Sequence, residues 1–365
     1  MIPLNVEERL ELIKTVGEEI VTEEELLELL TNKKTFTAYD GFEPSGQIHI
    51  AQGILRAINV NKISKAGGRF KMLVADWHAW ANNKLDGNLE NIQATGKYLI
   101  EVWRLTGMDL SKVDFLWASD LANSDEYWKK VMEIARNSTL KRILRTAQIM
   151  GRKQSEALQA SQILYPCMQC ADIFHLDDGN PVDVCQLGLD QRKVNMLARE
   201  VGPKLYNSKP IVISHHMVMG LSTPKAEYES LEDRVLDMKM SKSNPDSAIF
   251  MTDSKKAIDR KIRKAYCPEG IIIENPILEY AKYFVFERED IFKVERPTKF
   301  GGDLEFSSYS DLEAVYQNKD LHPADLKKAV SFYINKQVEP VRNAFESNDK
   351  LRELRDAVMG FRVTR

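Results

Sequence analysis

The chain has 365 residues, 43% of them hydrophobic and 29% charged, and 51 Lys plus Arg against 54 Asp plus Glu leave a formal net charge of -3. At roughly 150 residues per domain this length predicts two domains, each with enough chain to bury a core. A mean hydropathy of -0.37 and the lack of any apolar run of about 18 residues exclude a helical membrane span. The opening segment MIPLNVEERLELIK does not join a basic stretch to an apolar one, so it reads as no secretory signal. Cys167, Cys170, Cys185 and Cys267 are too few and too scattered for a disulfide framework, and a reducing, cytoplasmic setting is expected.

In chain order, Glu7 to Glu28 carries nine acids against Arg9 and Lys14, with Leu10, Ile13, Ile20, Leu26, Leu27 and Leu30 at helical spacing. Residues 1–35 are therefore expected to form a pair of acidic surface helices. Short apolar runs then alternate with helix-length segments: Phe36 to Tyr39, Phe70 to Ala75, Val113 to Trp117, Val182 to Leu187 and Pro210 to Ser214. Such alternation predicts an α/β, doubly wound parallel sheet over 36–235. Residues 124–161 break the rhythm and are expected to form a helical insertion. Within it Arg136, Lys141, Arg142, Arg145, Arg152 and Lys153 follow one another with no acid between Arg136 and Lys153. A polar loop and linker occupies 236–254. From Lys255 the pattern turns helical, predicting an all-α domain over 255–365 whose first ten residues hold six cations against Asp259 alone. The small net charge is a cancellation between regions of opposite field.

Two segments carry phosphate chemistry. The first strand runs into Gly41-Phe42-Glu43-Pro44-Ser45-Gly46-Gln47-Ile48-His49-Ile50-Ala51-Gln52-Gly53. A Gly- and Pro-containing turn from strand to helix presents free N–H groups and the positive end of a helix dipole at the carboxyl edge of the sheet. His49 and Gln52, three apart, share a face. The bland alternative is a βα turn capped by Ser45 with a surface histidine. The second segment is Lys239-Met240-Ser241-Lys242-Ser243, whose two lysines could neutralise charge developing on transferring phosphates. Farther along, Tyr165, Gln169 and Asp172 fall at i, i+4 and i+7, with Pro166 expected in the first turn, so one helix stripe presents a phenol, a carboxamide and a carboxylate.

Pro44 to Gln52 resembles the first signature of class I aminoacyl-tRNA synthetases, and Lys239 to Ser243 is identical to their second, KMSKS. The first departs from the family's His-Ile-Gly-His by reading His49-Ile50-Ala51-Gln52, so position 52 can donate a hydrogen bond but carries no charge. Over nearly the whole chain the sequence resembles the tyrosyl-tRNA synthetases of archaeal and eukaryotic type, through Tyr39-Asp-Gly-Phe-Glu-Pro-Ser-Gly, Ala75-Asp-Trp-His-Ala, Tyr165-Pro-Cys-Met-Gln, Asp190-Gln-Arg-Lys and His322-Pro-Ala-Asp-Leu-Lys.

The resemblance implies a Rossmann-type catalytic domain, a helical insertion that forms a homodimer interface and an α-helical anticodon-binding domain. Tyr39 and Asp172 would bind a tyrosine phenol; Tyr165, Gln169 and Gln191 would hold its ammonium and carboxylate end. His49, Gln52, Lys239 and Lys242 would act on the phosphates of ATP, which brings Mg²⁺ with it. Gly41, Glu43, Ser45, Gly46, Ala51, Asp190, Met240, Ser241 and Ser243 would line the nucleotide site, with Asp190 on the ribose. Arg145, Arg192 and Lys193 would meet the acceptor stem of tRNA(Tyr), while Phe300 would stack on an anticodon base and Asp325 accept its hydrogen bonds. No protein-bound metal is expected: Cys167 and Cys170 lack a second ligand pair at zinc spacing. His215 and His216 have no assigned role. The rivals are a tryptophan enzyme, which has no phenol to read, and a catalytically weakened RNA-binding or signalling paralogue, suggested by Ala51 and Gln52.

Overall fold

In a computed structural model, residues 4–150, 158–225, 234, 238–240, 242 and 244–364 are described; Ser241 and Ser243 lie outside them. The chain begins with α1 (Val6–Lys14), β1 (Glu19–Val21) and α2 (Glu23–Asn32). Asn5 starts α1 with a reciprocal cap, its side chain accepting from the Glu8 N–H at 2.9 Å while Glu8 accepts from the Asn5 N–H at 2.8 Å. The two acidic helices are as expected, but Ile20 lies in a short strand between them. Arg9 is buried, and its guanidinium donates to the carbonyls of Ala66, Leu30, Lys33 and Lys34 at 2.7 to 3.2 Å. It thereby satisfies the carbonyls of Leu30 and Ala66 at the ends of α2 and α3, which would otherwise be orphaned inside the protein.

The sheet follows as β2 (Phe36–Phe42), α3 (Arg56–Lys65), β3 (Gly68–Val74), α4 (Asp76–Ala81), α5 (Leu89–Leu105), β4 (Val113–Trp117), α6 (Ala118–Leu121), α7 (Asp125–Arg136), α8 (Leu140–Thr146), α9 (Ala160–Ile173), β5 (Val184–Gly188), α10 (Arg192–Leu205) and β6 (Ile211–His215). Strand order is β1-β6-β5-β2-β3-β4. All neighbours are parallel except β1, which pairs antiparallel with β6. Buried runs such as those of β5 and β6 are what two-sided helix cover requires of parallel strands. β2 pairs with β3 from Phe36↔Gly68 to Phe42↔Val74, but with β5 through Ala38↔Val184 and Tyr39↔Cys185. Beyond Tyr39 the carboxyl ends of β2 and β5 part, at the point where strand order reverses, and such a crevice is where α/β sheets bind ligands.

Helices α7 to α9 break the alternation, as the sequence indicates. α9 starts at Ala160, with Pro166 inside it rather than in its first turn. After the signature loop come α11 (Lys255–Lys264), α12 (Pro276–Tyr280), β7 (Phe292–Val294), β8 (Leu304–Phe306), α13 (Tyr309–Gln317), α14 (Pro323–Ser347) and α15 (Asp349–Gly360). This part is helical as expected, except for the antiparallel β7–β8 pair, which registers Phe292 opposite Phe306. Tyr98 of α5 and Phe345 of α14, both fully buried, meet edge-on at 5.4 Å, so one core continues from the sheet into the helical region. Such a pair adds about 0.5–1.5 kcal/mol beyond its area burial.

Candidate active site

The crevice has two ends of different chemistry. At its floor, α9 presents Tyr165, Gln169 and Asp172, all buried, toward Tyr39 at the end of the β2–β5 pairing. Asp172 is fully enclosed: its Oδ1 accepts from the Tyr127 hydroxyl at 2.9 Å, and its Oδ2 lies 3.0 Å from His78 Nε2 without hydrogen-bond alignment. A buried carboxylate oxygen in that state is costly unless something completes its shell. Burial pulls the His78 pKa down, but adjacent Asp172, with Glu43 and Asp76 adding to it, raises the value overall. Burial, with Asp172 beside it, also drives Tyr39 well above the ordinary phenol range, so Tyr39 stays a neutral hydroxyl. Gln169 Nε2 donates to Gln191 Oε1 at 3.1 Å, and Gln191 Nε2 donates to the Ile149 carbonyl at 3.2 Å. Burial, with the Glu43 charge beside it, drives Tyr165 well above the ordinary phenol range, and the Glu43 carboxylate accepts from Asn82 at 3.0 Å. All five residues expected to line an amino-acid pocket thus converge. Position 41 must be glycine here, since a Cβ would fall 2.9 Å from the Tyr39 hydroxyl oxygen.

The other end is built where the two signatures meet. Backbone bonds from Ile50 N–H to Ile249 C=O and from Met251 N–H to Ile48 C=O, both 2.9 Å, stitch the first signature to the chain just after the second. His49 pairs across with Phe250, and residues 51–55 make a wide turn into α3. Gly46 adopts φ +123°, a left-handed backbone that suits glycine. Lys242 Nζ donates to Ser45 Oγ at 3.2 Å, and Lys239 Nζ pairs with Asp190 Oδ2 at 3.0 Å. Burial, helped by the charge of Lys84 and opposed by Glu43, lowers the Lys242 pKa to about 7. Burial and the two signature lysines drive His49 well below its usual value, so it is a neutral hydrogen-bonding group rather than a cation. Gln52 Oε1 is buried without a partner, an amide poised for a donor. Beneath this end, Arg56 pairs with buried Asp40 at 2.5 Å and stacks over Phe42 at 4.5 Å. Burial raises the Asp40 pKa to about 7 against the pull of Arg56. Ser45, Asp190 and Glu43 sit by the signature lysines, Met240 is buried in the hydrophobic core, and Ala51 opens the wide turn.

The remaining expected residues lie on surfaces. Arg145 is exposed on α8. At the start of α10 Arg192 is held by Glu19 at 2.8 Å and Lys193 by Gln148. Phe300 is exposed under the Lys299 ammonium at 4.8 Å, and Asp325 lies in the first turn of α14, both in the helical region. Sequence reasoning did not single out Tyr127, which hydrogen-bonds Asp172, or His78, which lies beside it. His78 was within reach, since it stands in Ala75-Asp-Trp-His-Ala. Tyr127 had no signal, being one apolar-face residue of α7 that reaches Asp172 only through tertiary packing. No group of three or more His, Cys, Asp and Glu assembles as a metal cage among the described residues.

Residues 31–339 match the family of class I tRNA synthetases for tryptophan and tyrosine (W and Y), which sets the class. The chain is 48% identical over 363 residues to a cytoplasmic tyrosine–tRNA ligase 1 of Arabidopsis thaliana, covering 99% of this chain and 90% of that one. It superposes with TM-score 0.89 on the L-tyrosine complex of tyrosyl-tRNA synthetase from Pyrococcus horikoshii, at 37% identity over 97% of this chain and 100% of that chain. A tryptophanyl-tRNA synthetase from Encephalitozoon cuniculi shares the fold at TM-score 0.69 and 18% identity, over 97% of this chain and 94% of that one. The chain belongs to the tyrosyl-tRNA synthetases of class I.

Proposed function

We infer that this chain activates L-tyrosine with ATP and transfers it to the 3′ end of tRNA(Tyr). The carrying observation is the enclosed Asp172, one oxygen held by Tyr127 and the other without an aligned donor, facing the neutral Tyr39 hydroxyl. A substrate phenol donates to Asp172 and accepts from Tyr39, filling both. Phenylalanine leaves them unpaired, and an indole has no hydroxyl to offer, so the tryptophan reading is not favoured. Tyr165, Gln169 and Gln191 orient the ammonium and carboxylate.

In the first step the tyrosine carboxylate oxygen attacks the α-phosphorus of ATP while the bond to the pyrophosphate oxygen breaks, giving tyrosyl-adenylate and pyrophosphate. In the second, a ribose hydroxyl of the terminal tRNA adenosine attacks the tyrosyl carbonyl, loses its proton and expels AMP. Neither step uses a covalent enzyme intermediate; positioning and charge stabilisation suffice. His49 and Gln52 donate to phosphate oxygens, Lys239 and Lys242 stabilise the leaving pyrophosphate, and Mg²⁺ enters on ATP, neutralising phosphate charge. The Gly41–Gly46 turn, Ala51 and Met240 shape the nucleotide site, to which we also assign Ser241 and Ser243, and Asp190 turns from Lys239 to the ribose. Arg145, Arg192 and Lys193 meet the acceptor stem, while Phe300 and Asp325 read an anticodon base.

A homodimer in the cytoplasm completes the reading. Trp80, Met132, Leu140, Leu144 and Leu164 are 40–61% exposed on α4 and the inserted helices, and Trp77 links Trp80 and Trp128 at 5.8 and 6.1 Å. Such an apolar face on a chain with no helix long and apolar enough to cross a membrane suits a second copy. Pyrophosphate exchange with each of the twenty amino acids tests the function. Exchange with tyrosine alone is expected; exchange with tryptophan alone would overturn the assignment, and none with any amino acid would favour an RNA-binding paralogue.

A further inference from the structure

Lys239 and Met240 open the signature loop on backbone that is not part of the six-stranded sheet. It pairs instead with residues 218–220. Met219 and Lys239 face each other in an antiparallel bridge, Gly220 N–H donates to the Met238 carbonyl at 2.7 Å, and Met240 N–H donates to the Val218 carbonyl at 3.3 Å. Val218, Met219 and Met240 are all buried.

Segment 218–220 is gripped in turn from the helical region. Glu279 Oε2 accepts from Met219 N–H at 2.9 Å, and the buried Tyr280 hydroxyl donates to the Met219 carbonyl at 3.1 Å. Two consecutive residues of α12 therefore satisfy both main-chain groups of the residue opposite Lys239. The second oxygen of Glu279 lies 3.3 Å from His216 Nε2, in ion-pair reach without hydrogen-bond alignment, while His216 Nδ1 lies 3.1 Å from Glu18 and the ring stacks on Tyr283 at 4.7 Å and 10°. His216, without a role in the sequence, is thus the junction of the N-terminal segment, the end of β6 and the helical region.

We propose that Glu279 and Tyr280 are positioning residues for Lys239, setting through Met219 the strand from which that lysine reaches the leaving pyrophosphate. The proposal rests on the synthetase reading and on the role given there to Lys239. Loss of a transition-state donor lowers kcat by about 10²–10³, and a misplacement of about 1 Å can itself be severe. Loosening the support of a donor that remains present should therefore lower kcat by about tenfold.

The experiment is tyrosine-dependent pyrophosphate exchange by the full chain carrying Tyr280→Phe, Glu279→Ala or Glu279→Gln, each alone and combined with Lys239→Ala. Tyr280→Phe and Glu279→Ala should each lower kcat about tenfold with the tyrosine KM unchanged. Glu279→Gln, which keeps an acceptor for Met219 N–H, should recover most of the loss. In the Lys239→Ala background the same replacements should change kcat less than about twofold, because they act through the missing group. Equal losses in both backgrounds, or no loss in the parent, would overturn the proposal. Tyr280→Phe removes one hydroxyl and keeps the buried ring, so it remains decisive if Glu279→Ala does not fold. Absence of exchange in the parent chain would instead refute the synthetase reading, and full exchange by Lys239→Ala would refute the role of that lysine.

Discussion

Replacing Asp172 with Asn isolates the charge at the floor of the pocket. The substitution keeps shape, and the Asn carbonyl can still accept from Tyr127, 2.9 Å away in the parent. What disappears is the charge-assisted bond to the incoming phenol and the partner that raises the His78 pKa. A hydrogen bond to a charged group is worth about 1.5–3 kcal/mol, so kcat/KM for tyrosine should fall by about 10- to 100-fold. Phenylalanine is expected to respond the other way: it no longer strands a buried carboxylate, whose unmet desolvation costs about 1–3 kcal/mol or more, so its relative rate should rise. Discrimination should therefore narrow by more than the tyrosine loss alone. Pyrophosphate exchange with both amino acids measures each quantity. Unchanged tyrosine kcat/KM together with undiminished rejection of phenylalanine would refute the phenol role of Asp172.

The lowered pKa of Lys242, about 7, predicts that kcat/KM for ATP falls as pH rises through that value, because deprotonation removes the charge that meets phosphate. Lys242→Arg should keep charge to higher pH; a flat profile from about pH 6 to 9 in the parent would contradict the assignment. Aminoacylation KM for tRNA should rise steeply with salt while pyrophosphate exchange changes little, and Arg145→Ala should shallow the salt slope by about one. Arg9→Leu leaves two buried and two part-buried carbonyls without their donor and should lower unfolding free energy by about 2 kcal/mol or more, read by denaturant titration, with Arg9→Lys unable to rescue the multidentate geometry. Met132→Glu on the exposed face of α7 should yield monomers in sedimentation; an unchanged dimer would place the interface elsewhere.

The central strands were legible because parallel strands buried on both faces read as apolar runs, and their predicted positions lie within two or three residues of those in the structure. The edge strand Glu19–Val21 was not, since three residues between two helices show no period and acquire strand geometry by pairing with β6. β7 and β8 were missed for the same reason. Pro166 misled about the start of α9: a proline inside a helix forgoes one bond, a cost that burial of the surrounding stripe outweighs here. At the site, chemistry-bearing residues in short motifs were legible, whereas a partner such as Tyr127, on α7, meets Asp172 of α9 only through the fold, and the pairings of His78 with Asp172 and of Arg56 with Asp40 are set by packing that no spacing shows.

The pairing of Arg192 with Glu19, and of Arg199 and Lys209 with Glu25, gives the acidic N-terminus a purpose that its surface position conceals. Glu19 takes the Arg192 guanidinium through Nε alone, at 2.9 and 2.8 Å, so the N-terminal segment orients this cation while its terminal N–H groups are left to point outward. The Glu19 carboxylate also offsets part of the positive field at the start of α10, so charge there is local and directed rather than spread over the surface.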